Sequence, residues 1–139
     1  MEARVTWCGG MRLVGQADSG HAVVMDGAPA AGGLDSAPRP SELLVLGLAG
    51  CTGMDVLSIL RKKRQPVSGI EITVKAEQAE QHPRRFTRIE LGFLVRGEGV
   101  DPEAVRRAIE LSENTYCSVG ATLRQPVQIT TSFQILPPE

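Results

Sequence analysis

Three thiols carry the most reactive chemistry in this sequence: Cys8, Cys51 and Cys117. A thiol attacks an electrophile as its thiolate, so a reactive cysteine needs a cation or a strong hydrogen-bond donor nearby. Cys51 lies in the middle of an apolar segment, and nothing basic follows it before Arg61. Arg39, just ahead of that segment, and Arg12 are the local options. Glu42, roughly two turns upstream of Cys51, suits a helix start and could orient an arginine. Asp55 stands at i+4 from Cys51, and a carboxylate there raises a thiol pKa unless it is paired. It reads as a helix–helix or interface hydrogen-bonding group. Cys117 could be a helix-end packing residue or a resolving thiol, one that condenses with a sulfenic acid to give a disulfide. The 66-residue separation of Cys51 and Cys117 says nothing of their distance in space. Cys8 reads as incidental. His21 and His82 are not grouped with the cysteines, and the cysteine spacings fit no zinc pattern, so no metal site is expected.

The element that must position Cys51 is the stretch from Pro40 to about Lys63. It shows no charge between Leu43 and Cys51, which predicts a helix buried on nearly all sides. Ser41 is the expected N-cap, with Glu42 in the first turn. Gly47 and Gly50 cost helix propensity, and their expected use is close approach of another backbone. Ahead of this helix, residues 3–8, 11–15 and 21–25 read as three strands of an antiparallel meander, joined at Gly9-Gly10 and Asp18–Gly20. Residues 27–40, rich in Gly, Ala and Pro, read as an irregular surface loop. Beyond the helix, Ile70–Glu77 alternates apolar and polar residues, as does Phe86–Arg96, and both read as strands. Asp101-Pro102-Glu103 is a helix start. Cys117 follows that second helix, and a short helical turn is expected after it. Val127–Ile135 alternates as a last strand. The order β-β-β-α-β-β-α-β predicts an α+β fold: a single domain over residues 1–139, with antiparallel sheets around a central helix. That helix is too apolar for one chain to cover, which predicts a homodimer sharing it as common core.

Composition excludes several classes. With 15 Lys+Arg against 16 Asp+Glu, the formal net charge is −1. That argues against a general nucleic-acid binder. No apolar stretch is expected to reach the roughly 18–20 residues that cross a bilayer. The opening residues MEARVTWCGG lack the basic and apolar regions of a signal peptide, so a cytoplasmic location is the default expectation. Three cysteines in a reducing compartment do not suggest a disulfide scaffold.

Two motifs are specific enough to compare with a known family. Around the first thiol the chain reads P-S-E-L-L from Pro40, then G-C-T-G-M-D-V from Gly50. Around the second it reads Y-C-S-V from Tyr116, with Leu123 four residues beyond Val119. Together with the element order, these resemble the OsmC/Ohr family over nearly the whole chain. The resemblance implies an intertwined α+β homodimer with two apolar helices at its centre and active sites at the subunit interface. It implies reduction of organic hydroperoxides in an apolar pocket, without a cofactor. Cys51 would be the peroxidatic thiol, Cys117 the resolving thiol, and a dithiol such as dihydrolipoamide the reductant. Peroxidase members often carry Asn-Pro-Glu ahead of the helix, and that Glu holds an arginine against the thiol. Here Ser41 takes the equivalent position and Glu42 is its neighbour; the resemblance then implies a site of Cys51, Cys117 and Glu42, with Arg39 the first choice of arginine and Arg12 the other. The second reading is a redox-responsive or small-ligand-binding dimer on the same fold, whose thiols pair without turnover.

Overall fold

A computed structural model describes residues 1–126, 128–132 and 134. Strands β1 (Ala3–Trp7), β2 (Leu13–Ala17) and β3 (Ala22–Met25) form the expected antiparallel meander, in the order β1-β2-β3. Arg12 falls in the turn before β2 rather than on the strand, where its carbonyl accepts from Cys8 N–H at 3.0 Å. Strands β4 (Gly69–Gln78) and β5 (Phe86–Arg96) make a separate antiparallel ribbon.

Helix α1 spans Pro40–Lys62. Its N-cap is Arg39 rather than Ser41, because Pro40 takes the first helical position, where a missing N–H costs nothing. Glu42 closes this end: its carboxylate accepts from Arg39 N–H at 2.9 Å and from the Arg39 guanidinium at 3.3 Å. At the other end Arg64 turns into the left-handed region (φ 55°) and stops the helix. The C-terminal half of α1 builds the core. Val56 and Leu60 are fully buried against Ala104 and Ala108 of helix α2 (Pro102–Leu111), with Ile70, Phe93 and Val95 of the ribbon alongside. As expected, Asp101 caps α2 by accepting from Glu103 N–H at 3.0 Å.

Four features of this frame bear on those expectations. First, one chain leaves part of α1 uncovered, as its apolar length predicted: Leu46 is 57% exposed and Met54 74%. Second, Gly47 and Gly50 have no neighbour in the space a Cβ would take. It is Gly53 that admits a neighbour, since a Cβ there would stand 2.7 Å from Ile72 Cδ1. Third, α1 is long and apolar enough to cross a membrane, with mean hydropathy 2.0 over 18 residues. Two acids in 23 residues are too few to interrupt the apolar run. Its packing on α2 and β4 makes it the core helix of this domain. Fourth, the meander does not wrap α1: among the described residues it makes no substantial contact with the helices or the ribbon. Every residue of β1 is exposed, Trp7 at 69%.

The loop after β3 is more ordered than its composition suggests. Buried Asp26 accepts from Ser36 Oγ (2.7 Å), Ser36 N–H (3.1 Å), Gly27 N–H (2.8 Å) and Leu34 N–H (3.2 Å). These bonds, the Ser36 hydroxyl first, hold its pKa down at about 2. Of the expected last strand, Val127, Phe133 and Ile135 lie outside the described residues. Residues 128–132 and 134 carry no strand in this chain, and Ile129 is 82% exposed.

Candidate active site

Helix α2 does not stop cleanly. Residues Ser112–Tyr116 continue as one π-helical turn, closed by Cys117 N–H donating to Ser112 C=O at 2.8 Å. Such turns displace the chain by one residue and are frequent at functional sites. Here the turn delivers Cys117 to the N-cap of a new short helix, α3 (Ser118–Arg124). Cys117 is 4% exposed, and its Sγ accepts from Gly120 N–H at 3.3 Å. Gly120 keeps this point uncrowded: a Cβ there would stand 3.3 Å from Cys117 Sγ, a tight contact, and 3.5 Å from Leu48 Cδ1.

Cys51 comes to the same place from α1, half-buried. Its Sγ, the Cys117 Sγ and a carboxylate oxygen of Asp55 all lie within 4.8 Å of one another. The Ser118 hydroxyl is 3.9 Å from Cys51 Sγ. The two thiols are electrostatically unlike. The Val119 backbone N–H does most to hold the Cys51 pKa below the ordinary thiol value, against the opposing effect of partial burial. Hydrogen bonds from the Cys117 thiol and the Ser118 hydroxyl lower it further, and the Asp55 carboxylate acts weakly the other way. Burial first of all pushes Cys117 up, with Cys51 and Asp55 adding to the rise. Cys51 therefore ionises first, and Cys117 remains a thiol that donates to it.

Asp55 is held by a hydroxyl relay. Ser112 Oγ donates to Asp55 Oδ2 at 2.9 Å, and Thr52 Oγ1 lies 2.8 Å from Ser112 Oγ. Ser112 has one hydroxyl hydrogen and gives it to the carboxylate, so Thr52 donates to Ser112. This is the helix–helix bonding role expected of Asp55. The relay ties α1 to the π turn and so fixes the spacing of the two sulfurs.

Arg39 does not stand beside Cys51 in the same chain. Twelve residues of helix separate them, about 18 Å. Glu42 does hold an arginine, as its position suggested: Arg39 pairs with Glu42 at 3.3 Å and with Asp35 at 3.0 Å. The groups that lower the Cys51 pKa are an N–H, a thiol and a hydroxyl, not a guanidinium. Cys8 is exposed. An open groove of about 910 Å³ runs between Leu44 and Leu48 of α1, Phe86 and Leu91 of β5, and Leu123 and Arg124 of α3. Leu48 and Gly120 line it, while neither sulfur does. Among the described residues, this groove does not supply the expected apolar pocket around the thiols.

Sequence reasoning missed Ser112, Ser118 and the Val119 N–H. Cys-Ser-Val-Gly after a helix end was the available signal: a small polar N-cap followed by free N–H groups, with the thiol in the capping position. The cysteine spacing gave no sign that two thiols and a carboxylate would gather, since the fold unites positions 66 residues apart.

Comparison with known proteins follows the same lines. A family model described as OsmC-like protein matches residues 33–132. Protein YhfA of Escherichia coli K12 is 41% identical over 136 residues, covering 98% of both chains. A crystal structure of a hypothetical protein from Aquifex aeolicus VF5 is 30% identical with a TM-score of 0.77, covering 88% of this chain and 86% of that one. An organic hydroperoxide resistance protein OsmC from Legionella pneumophila shares the fold at 14% identity, with a TM-score of 0.63 and 88% of each chain covered.

Proposed function

The chain belongs to the OsmC-like protein family, and from that premise we propose that it reduces organic hydroperoxides with Cys51 as nucleophile and Cys117 as resolving thiol. The observation that carries this reading is the pair of sulfurs within 4.8 Å, one favoured as thiolate and the other held as thiol. The Cys51 thiolate attacks the terminal oxygen of ROOH. The O–O bond breaks, RO⁻ leaves and takes a proton to become ROH, and Cys51 becomes a sulfenic acid. Cys117 sulfur then attacks Cys51 sulfur, hydroxide leaves and is protonated to water, and a disulfide joins the two. A dithiol such as dihydrolipoamide resets the pair by two exchange steps and leaves as its own cyclic disulfide. The hydroperoxide-resistance names of two relatives of the same fold agree with this chemistry.

The working unit in this reading is a homodimer. The uncovered meander and the open α1 face with Leu46, Gly47, Gly50 and Met54 support it, because apolar surface of that extent requires a partner. A second chain would also complete the pocket around the thiols. Arg39 and Glu42 enter through the same interface. Arg39 is too far from its own Cys51, and its buried Nε has no hydrogen-bond partner among the described residues. It would serve the partner's thiol.

The test is turnover of cumene hydroperoxide by the purified protein with dihydrolipoamide. Turnover that vanishes in Cys51→Ser and stalls in Cys117→Ser supports the reading. A disulfide that forms without turnover supports the alternative, a redox-responsive dimer of the same fold.

A further inference from the structure

Cys51, Asp55 and Cys117 form a cluster that the peroxidase reading uses only in part. Three groups capable of negative charge stand within 4.8 Å of one another. Among the described residues no lysine or arginine pairs with Asp55, whose partner is the Ser112 hydroxyl. Cys51 and Asp55 are presented on one face of α1 at i and i+4, so a rigid element sets two of the donors. Cys117 is fixed independently by its capping position. A tetrahedral site with metal–sulfur bonds of about 2.3 Å puts two sulfurs about 3.8 Å apart. The three donors therefore need shifts of about 1 Å or less to close on one ion. Ser112 donates to Oδ2 of Asp55 and orients the carboxylate as an outer-shell partner does.

We propose that the reduced protein binds one Zn²⁺ per chain through Cys51 Sγ, Cys117 Sγ and a carboxylate oxygen of Asp55, with solvent in the fourth position. Two thiolates and one carboxylate select a thiophilic ion over Mg²⁺ or Ca²⁺. Binding displaces the thiol protons and occupies the lone pairs that would attack a peroxide, so the ion is a reversible brake on the thiol pair. Oxidation removes it. As the two thiolates form the S–S bond they give up two electrons. Diamide takes these with two protons to become the hydrazine, and the ion leaves a site that retains a single carboxylate.

The test uses reduced full-length protein with Co²⁺ as the spectroscopic probe and Zn²⁺ as competitor. A sulfur-to-cobalt charge-transfer band that saturates at one ion per chain and is abolished by prior diamide oxidation is expected. Asp55→Asn should weaken binding at least 10-fold, and Cys51→Ser should remove about half of the band. X-ray absorption on Zn²⁺-loaded wild-type protein requires no variant to fold and should read two sulfur neighbours at about 2.3 Å with oxygen at about 2.0 Å. Absence of the thiolate band, binding that persists after oxidation, unchanged affinity in a folded Asp55→Asn, or a shell without sulfur overturns the proposal. No hydroperoxide enters these measurements, so they can fail while turnover stands, and the converse.

Discussion

Replacing Ser112 with alanine should cost more stability than its small side chain suggests, and should disturb the thiol pair although its hydroxyl bonds to neither sulfur. Ser112 is fully buried, donates to the Asp55 carboxylate at 2.9 Å and accepts from Thr52 at 2.8 Å. A hydrogen bond to a charged group contributes about 1.5–3 kcal/mol, with the lower end fitting a half-exposed carboxylate. The substitution also strands the Thr52 hydroxyl, 2% exposed, at a further cost of about 1–3 kcal/mol. The sum is about 3 kcal/mol, or roughly 10 °C in Tm for a chain of this size. Thermal and urea unfolding at one fixed protein concentration read it, since assembly makes Tm depend on concentration. Adding Thr52→Val to Ser112→Ala removes the stranded hydroxyl, so the double variant should be more stable than the sum of the single losses by about 1 kcal/mol. The relay also sets the spacing of α1 and the π turn, so diamide should close the Cys51–Cys117 disulfide more slowly in Ser112→Ala. A loss below about 0.5 kcal/mol together with strict additivity would refute the relay and its role in spacing the sulfurs.

Asp26 gives the protein an acid limb with a defined sign. Its folded pKa is about 2, below the roughly 3.9 of an unfolded aspartate, so its contribution is complete above that higher value and is lost as pH falls toward 2. Urea midpoints of wild type and Asp26→Asn should therefore differ at pH 6 and converge between about pH 4 and pH 2; a constant difference contradicts the assignment. Met54→Glu, on the open α1 face, should convert a dimer to single chains of 14.9 kDa by light scattering, since a buried unpaired carboxylate costs several kcal/mol. A dimer that survives this change would require another interface. Arg39→Ala should lower peroxide turnover at least 10-fold while moving stability by less than about 1 kcal/mol, because its pairs with Asp35 and Glu42 are partly exposed. Unchanged turnover removes Arg39 and Glu42 from the site.

The fold was legible in the sequence where periodicity and punctuation were strong. The alternation in Ile70–Glu77 and Phe86–Arg96 marked the ribbon, and Asp101-Pro102-Glu103 marked the start of α2. The meander was legible as strands but not in its placement, because alternation says which face of a strand is apolar and not what covers it. The same limit applies to α1: its apolar run did not say which residues the chain itself would cover, and Leu46 and Met54 face outward in one chain. Local chemistry decided the helix start, where Pro40 moved the cap from Ser41 to Arg39. For the site, the two thiols and Asp55 could be named from residue type, whereas their meeting depends on a π turn that propensity does not encode. Asp26 was missed because its ligands are backbone N–H groups brought round by the loop, which no spacing rule announces.

The most direct test of the thiol pair is the mass of the intact protein after one equivalent of cumene hydroperoxide. The wild type should lose about 2 Da, the two hydrogens given up on disulfide formation, with Cys51 and Cys117 joined in one cross-linked peptide from a single chain. Cys117→Ser should instead gain about 16 Da, the sulfenic oxygen retained on Cys51. A wild-type mass that does not change, or an oxidation that falls on Cys8, would contradict the account.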